Sequence, residues 1–428
     1  VDIIGFHYRT TATEDYVAMA DVDDKEVWYS EGCATFGYSE LQENKNAQYG
    51  ADTIGGYQSP LALADSIPNA FMASRRSHYI FQPAIGSFYE GIQYAHKELL
   101  SARDPWSGYI HYDPALQMIA HFSRFAVTGW EDNDPSQNEI WRMIASASHA
   151  SFGGSDNEHA TAGIDGDASY LTLADPNGKD FSVVFVNNTR NQKTFHINVE
   201  DLPEAAAKTL QTWVTQTDSY MKKGASVTPA ADGWTVVVPA YSVVTATTLD
   251  EYSEEELAMP QDGIRTGDRT VLDTDSTGKT ADAGDEYLYA DNFEYAEEAE
   301  GYLASRGDEP RYMLDSHGAW EVQDGRLVQE LNASVSQWNG GEPVTIVGDF
   351  RWMNYNASID VQIPEANSAV WAGLGVRSQR GMNWNQDGYT LRIYGDGKWE
   401  FYRAGSVMGS GSVAADPTGS YSLQVAAN

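Results

Sequence analysis

Residues 27–36 read VWYSEGCATF and residues 1–8 read VDIIGFHY. Each is a short apolar run closed by polar side chains, Glu31 in the first and His7-Tyr8 in the second. Short continuous apolar runs of this kind fit strands buried on both faces, as in a parallel sheet. Between them YVAMADVDDKE has room for a short helix, Ser66–Tyr89 reads as helical, and PALQMIAHFSRFA at 114–126 is an amphipathic helix. Strands alternating with helices predict an α/β arrangement over 1–128.

The pattern changes after Gly129. SYLTLAD, FSVVFVNN, TFHINVE, LQTWVTQ, GWTVVVPA and SVVTATTL recur at even spacing, separated by turn signals such as DPNGKD. They predict an antiparallel β-sandwich over 129–250. Asp250–Glu309 then carries nineteen acidic and four basic residues, net −15. A charge run of this density reads as a solvated linker over 251–288 rather than a cation-binding tail. Strands return over 289–428 as TIVGDFRW, ASIDVQIP, AVWAGLGVRS, YTLRIYG, KWEFYRAG and YSLQVAA, rich in Trp, Tyr and Gly. They predict a second sandwich, a lectin-like jelly roll broken off inside a strand. The opening on Val1, directly in an apolar run, likewise reads as a cut from a longer chain.

Composition bounds the function. The chain has 428 residues, 42% hydrophobic, 21% charged and 12% aromatic, with 25 Tyr and 12 Trp. That is globular, and its aromatic surplus favours the stacking of sugars or other flat ligands. A net charge of −35 repels phosphate backbones, so nucleic acid and anionic membranes are poor partners. No stretch reaches the length of a membrane-spanning helix, and no secretory apolar region stands at the start. One cysteine, Cys33, excludes an internal disulfide framework and a thiolate metal cluster. The acidic surface suits an extracellular setting or a lysosome-like acidic compartment.

Several side chains are candidates for chemistry. Glu31 ends an apolar strand, where a β/α barrel places reacting groups, or it is an exposed strand-end acid. Tyr8 ends the neighbouring strand and either holds a carboxylate ionised or packs as an aromatic with a satisfied hydroxyl. Trp106, in DPWSGYIHY, is either a stacking floor for a pyranose or a barrel-closing core residue. Cys33 reads as a small buried residue, since nothing around it resembles a thiol hydrolase. Asp156, Asp165 and Asp167 read as solvated loop acids, and neither a phosphate-binding glycine loop nor a HExxH zinc motif occurs. Three Asn-X-Ser/Thr triplets start at Asn187, Asn332 and Asn356.

Taken together, IIGFHY, WYSEGCATF, SFYEGIQY, DPWSGYIHY, AHFSRFAVTGW and TIVGDFRWMNYNASIDVQIP resemble, in order and spacing, the galactosylceramidases of glycoside hydrolase family 59. The resemblance covers both ends of the chain and is thin over 131–250 and the acidic linker. It implies the C-terminal part of a TIM (β/α)8 barrel, a β-sandwich and an incomplete lectin-like jelly roll. It implies retaining hydrolysis of a terminal β-galactoside, in which one carboxylate attacks the anomeric carbon and a second protonates the leaving oxygen. Glu31 aligns with the nucleophile, and His7, Tyr8, Tyr94 and Trp106 with substrate-binding positions. The family's acid/base Glu follows an Asn on an earlier strand. No Asn-Glu precedes Glu31 here, and Glu14 and Glu26 lack the strand context. Gln82 stands where the family has a pocket Trp, and Ala34 where it has a Ser. These departures leave room for a soluble oligosaccharide, for another sugar handled by a related barrel, or for a sugar-binding protein without catalysis. No cofactor is required. A structural Ca²⁺ in the last domain is an implication of the family, with oxygen-rich loops such as Asp291-Asn292 as its place.

Overall fold

The computed structural model describes residues 2–7, 14–31, 60–81, 84–86, 99–101, 110–112, 114–128, 140–151, 165–200, 202–261, 287–295, 301–331, 342–348, 352–378 and 388–428. The chain is rich in strands, has few helices, and divides into two compact units. Every described residue up to 261 lies in the first and every one from 287 on in the second. The heart of the acidic linker, 262–286, is outside the described residues.

The first unit opens with β1 (Ile3–His7), α1 (Glu14–Asp21), β2 (Glu26–Glu31), α2 (Pro60–Ser74) and β3 (Arg76–Tyr79). The three strands form one sheet, β1-β2-β3, with both pairings parallel, as the two apolar runs predict. The helix expected over Ser66–Tyr89 is displaced. It starts at Pro60, whose fixed φ and missing N–H suit a first turn. It ends at Ser74 because Arg75 takes a left-handed φ of 59° and folds its side chain back, donating to the Phe71 and Met72 carbonyls. The next four residues, RSHY, are a strand. Two-residue strands β4 (Ile85–Gly86), β5 (Leu100–Ser101) and β6 (His111–Tyr112) form a small sheet before α3 (Pro114–Ser123).

The antiparallel part comprises β7 (Arg142–Met143), β8 (Ser169–Ala174), β9 (Phe181–Asn187), β10 (Lys193–Ile197), α4 (Pro203–Ala206), β11 (Gln211–Gln216), β12 (Ser219–Lys223), β13 (Trp234–Val238) and β14 (Ser242–Thr247). Six strands run in the order β12-β11-β14-β9-β8-β7, and β10 pairs with β13 apart from them. FSVVFVN has no alternation because β9 is covered on both faces. Val184 and Val186 meet Leu61, Ala64, Ile67 and Phe71 of α2, while Phe181, Val183 and Phe185 meet Trp234, Val236 and Val238 of β13. α2 is therefore buried nearly all round, with Leu63 packed on Tyr29 of the parallel sheet and Leu61 on the six-stranded one. α3 seats His121, fully buried, against Thr245 and Thr215, both 2.8 Å from its ring nitrogens.

The second unit holds β15 (Leu314–His317), β16 (Trp320–Gln323), β17 (Arg326–Gln329), β18 (Val344–Ile346), β19 (Tyr355–Gln362), β20 (Trp371–Val376), β21 (Tyr389–Tyr394), β22 (Lys398–Arg403), β23 (Ser406–Ser412) and β24 (Ser420–Ala427). β20-β21-β22-β23 is an antiparallel sheet, and β19 pairs with β24. Ile363, Ile393 and Leu423 join the two as a core, with Val376, Val425 and Ala427 as its continuation.

Candidate active site

Glu31 is the last residue of β2, the central strand of the parallel sheet, and its Cα partner across the sheet is His7, the last residue of β1. A register shift brings them level. Ile3 to Phe6 pair in step with Glu26 to Tyr29, and then His7 pairs with Glu31 rather than with Ser30. Ser30 is the extra residue of this bulge, and its hydroxyl donates to the Phe6 carbonyl at 3.1 Å. Bulges of this kind re-aim the residues around them and recur beside active sites. Two residue types that chemistry uses, a carboxylate and an imidazole, thus end adjacent parallel strands at one edge of the sheet.

The two faces of this sheet differ. Phe6, Tyr29 and Arg76 face the helices: Phe6 packs on Tyr16 of α1 with ring centroids 4.3 Å apart, and Tyr29 is 3% exposed. The Arg76 guanidinium lies 4.6 Å from the Tyr29 ring and 5.7 Å from that of Phe6, which places a buried cation against aromatic faces. On the opposite face Gly5, Trp28 and His78 form one cross-strand row. Trp28 and His78 stack at 4.7 Å with an interplanar angle of 24°, and both are half-buried. A Cβ at Gly5 would come within 2.8 Å of the Ser30 hydroxyl, so a side chain there would press on the bulge.

The sequence reading did not single out Trp28 or His78. Local sequence gives no signal for them: VWY is apolar throughout, and only the structure separates buried Val27 and Tyr29 from half-buried Trp28. The stack lies on the face away from the helices, three residues before Glu31.

Of the residues singled out, His7 and Glu31 are brought together at backbone level. Tyr8, Tyr94, Trp106, Cys33, Ala34, Gln82 and Asp156 lie outside the described residues. Glu26 does have strand context, as the first residue of β2, at the end opposite Glu31, where it accepts the Trp28 indole N–H at 2.8 Å. Glu14 opens α1. Asp165 pairs with Arg190 at 2.6 Å, and Asp167 with His149 at 3.2 Å. Asp291, the proposed calcium ligand, is an acceptor for the Phe293 N–H at 2.7 Å and for the Tyr295 and Tyr289 hydroxyls at 2.5 and 3.3 Å. Burial nonetheless raises its pKa. Among the described residues no three His, Cys, Asp or Glu side chains gather as a metal site. Asn187 is fully buried, and its amide donates to the Asn191 and Pro239 carbonyls at 2.9 and 2.8 Å, so this triplet has no room for a glycan. Asn356 is exposed on β19, and Asn332 is outside the described residues.

Residues 1–124 match Glycosyl hydrolase family 59. The chain is similar to the galactocerebrosidase of Canis lupus familiaris, 23% identical over 439 residues that cover 95% of this chain and 56% of that protein. The Salmo salar galactocerebrosidase is 23% identical over 392 residues, 84% of this chain and 48% of that protein. The Mus musculus galactocerebrosidase is 31% identical over 130 residues, 30% of this chain and 16% of that protein. The chain spans about half the length of the first two. These matches bear out the resemblance read from the residues. Among solved structures, a family 30 endoxylanase from Clostridium papyrosolvens is 14% identical with a TM-score of 0.36, covering 58% of this chain and 48% of that one. A family 30 xylanase from Clostridium acetobutylicum is 15% identical with a TM-score of 0.35, again over 58% and 48%.

Proposed function

We propose that this chain is part of a retaining glycoside hydrolase that removes terminal β-galactose from galactosylceramide or a related β-galactoside. The observation that carries the reading is the position of Glu31. It ends the central parallel strand, level with His7, within the stretch that matches family 59. In this reading the parallel strands belong to a TIM barrel, the antiparallel sheets to a β-sandwich and a lectin-like jelly roll, with boundaries near 128, 250 and 288.

The chemistry follows from two carboxylates about 5–5.5 Å apart. The Glu31 carboxylate attacks the anomeric carbon while the acid/base group protonates the departing oxygen. A covalent galactosyl-enzyme forms, and water activated by the same acid/base group then releases galactose. The family's second carboxylate follows an Asn on a strand well before the nucleophile strand. His7, Tyr8, Tyr94 and Trp106 are assigned to holding the sugar. A glycolipid or soluble galactoside is the partner, and no metal enters the bond-breaking steps. The setting is extracellular or a lysosome-like compartment. No helix among the described residues is long and apolar enough to cross a membrane.

The test is covalent trapping. The protein as its source makes it, treated with a 2-fluoro-galactosyl inhibitor and digested, yields the label on the peptide carrying Glu31. Glu31→Gln loses turnover of an aryl β-galactoside by several orders of magnitude. A label on another residue sinks the assignment. A panel of aryl glycosides decides the sugar: hydrolysis of a glucoside or fucoside without the galactoside transfers the reading to a related barrel enzyme, as Gln82 would favour. Glycan binding with no turnover of any substrate leaves a sugar-binding protein.

A further inference from the structure

The outward face of the β20–β23 sheet carries side chains for which core packing gives no reason. Alternation sends Ala372, Leu374, Leu391, Ile393, Trp399 and Phe401 inward to the core with β19 and β24. The other parity places Trp371, Tyr394 and Tyr402 on the opposite face, with Arg392, Lys398 and Glu400 among them. Apolar stacking surface and hydrogen-bonding groups alternate there across three strands.

Polar contacts hold the rings in place. The Arg392 guanidinium lies between Trp371 and Tyr402, 4.0 and 4.2 Å from their centroids, and pairs with Glu342 at 3.0 Å. One Glu400 oxygen takes the Lys398 amine at 2.6 Å. The other accepts the Tyr394 and Tyr402 hydroxyls at 2.8 and 2.5 Å. These donors hold the Glu400 carboxyl down at about 2, so it is a fixed acceptor. Two cations and two anions cancel on this face although the chain as a whole carries −35.

Beside Trp371 the sheet is bare at Gly375, whereas the indole itself lies over Gly373, where a Cβ would come 3.1 Å from its ring. Gly373 and Gly375 point to the same face and are exposed. A Cβ at Gly375 would meet nothing closer than the Thr390 hydroxyl at 3.6 Å. Gly375 therefore leaves a trough on β20, bounded by the indole over Gly373 and by Thr390 on the neighbouring strand.

We propose that this face is a binding site for a neutral oligosaccharide, seated over Gly375 beside Trp371. A pyranose has an apolar C–H face suited to an aromatic ring and a rim of hydroxyls that need both donors and acceptors. The locally balanced charge matches an uncharged ligand, whereas an anionic glycan would meet Glu342, Glu400 and the field of the whole chain. The Arg392 guanidinium fills the space between the Trp371 and Tyr402 rings, so a sugar meets this face beside Trp371 rather than between the two rings. Rings already fixed by Arg392 and Glu400 lose little freedom when a ligand stacks on them.

Isothermal titration of the whole chain with lactose, cellohexaose and xylohexaose, and with heparin as the anionic comparison, tests this. At least one neutral oligosaccharide saturates and heparin does not. Trp371→Ala weakens the affinity about tenfold. Gly375→Leu, whose Cβ has room, fills the trough and removes binding while the thermal midpoint stays put. Cellohexaose and xylohexaose carry no terminal β-galactose, so loss of their binding in Trp371→Ala and Gly375→Leu separates this face from the proposed hydrolytic site. The inference is overturned if no neutral oligosaccharide binds, if heparin alone binds, or if Trp371→Ala and Gly375→Leu both bind normally.

Discussion

Replacing Asp65 by Asn should remove a pH-dependent cost from the first unit. Asp65 lies on α2 where that helix is enclosed by two sheets, and it is 2% exposed. Burial pushes its carboxyl from 3.8 up to about 6, against opposing hydrogen bonds from Ser169, Ser151 and Asn69. The Ser151 hydroxyl donates to it at 3.2 Å, and the Asn69 amide donates to its backbone carbonyl at 2.6 Å. The sign follows from proton counting. Below 3.8 the acid is protonated folded and unfolded. Between 3.8 and 6 the folded chain keeps a proton that the unfolded chain releases, so stability falls as pH rises. Above 6 the loss is complete, about 3 kcal/mol at 1.36 kcal/mol per pKa unit. Asn keeps the shape and an acceptor for Ser151 but carries no charge. Urea unfolding of both proteins from pH 3.5 to 7 should show the variant gaining about 3 kcal/mol on the parent across that range. Comparing differences at each pH cancels any constant effect of the substitution. A difference that stays flat across the range would refute the reasoning.

His121 should show the opposite slope. Burial lowers its pKa from 6.5 to about 3, so on acidification the unfolded chain gains a proton that the folded chain refuses, and up to about 5 kcal/mol is lost between 6.5 and 3. His121→Gln, followed by urea unfolding, should therefore resist acid better than the parent; an unchanged pH profile counts against it. Between pH 6 and 4 the slopes of Asp65 and His121 offset, so the parent should be flatter than either variant. In the second unit Gly419 has a φ of 72°, and a Cβ there would come 1.9 Å from the Ile363 carbonyl oxygen. Gly419→Ala should cost about 2–4 kcal/mol, and a urea midpoint equal to the parent's would overturn that account.

Much of the strand content could be read because burial leaves a signature. FSVVFVN is apolar throughout since β9 has a packed layer on each side. The strands missed are those whose partners are not aliphatic. RSHY looks polar, yet Arg76 is buried against Tyr29 and His78 stacks on Trp28. SYMKK pairs as β12 at the edge of its sheet, with Met221 alone fully buried. SVMGSGS, rich in residues that strands avoid, pairs as β23 because the Trp399 ring occupies the place of a side chain at Gly411, 2.7 Å from where its Cβ would stand. In each case the identity of the neighbouring strand, absent from local sequence, decides.

The candidate site is legible to the same depth and for the same reason. A polar group at the end of an apolar run marks Glu31 and His7 as strand-end residues, and sequence can go no further than that. Counting along VDIIGFHY and EVWYSE in step would set His7 against Ser30, with Glu31 one place beyond it. The register shift reverses this, and it comes with a single hydroxyl that donates to the Phe6 carbonyl while Ser30 drops out of the pairing. A hydrogen bond of this kind contributes about 0.5–1.5 kcal/mol, which favours the shifted pairing. Ser30 is therefore a positioning residue: it touches no reacting atom in the proposed mechanism, yet it sets which residue stands beside His7. Ser30→Ala should lower turnover by the proposed nucleophile more than it lowers folding stability, and Ser30→Thr, which restores the donor, should recover it. Equal losses in both variants would show that the side chain's size, rather than its hydrogen bond, governs the register.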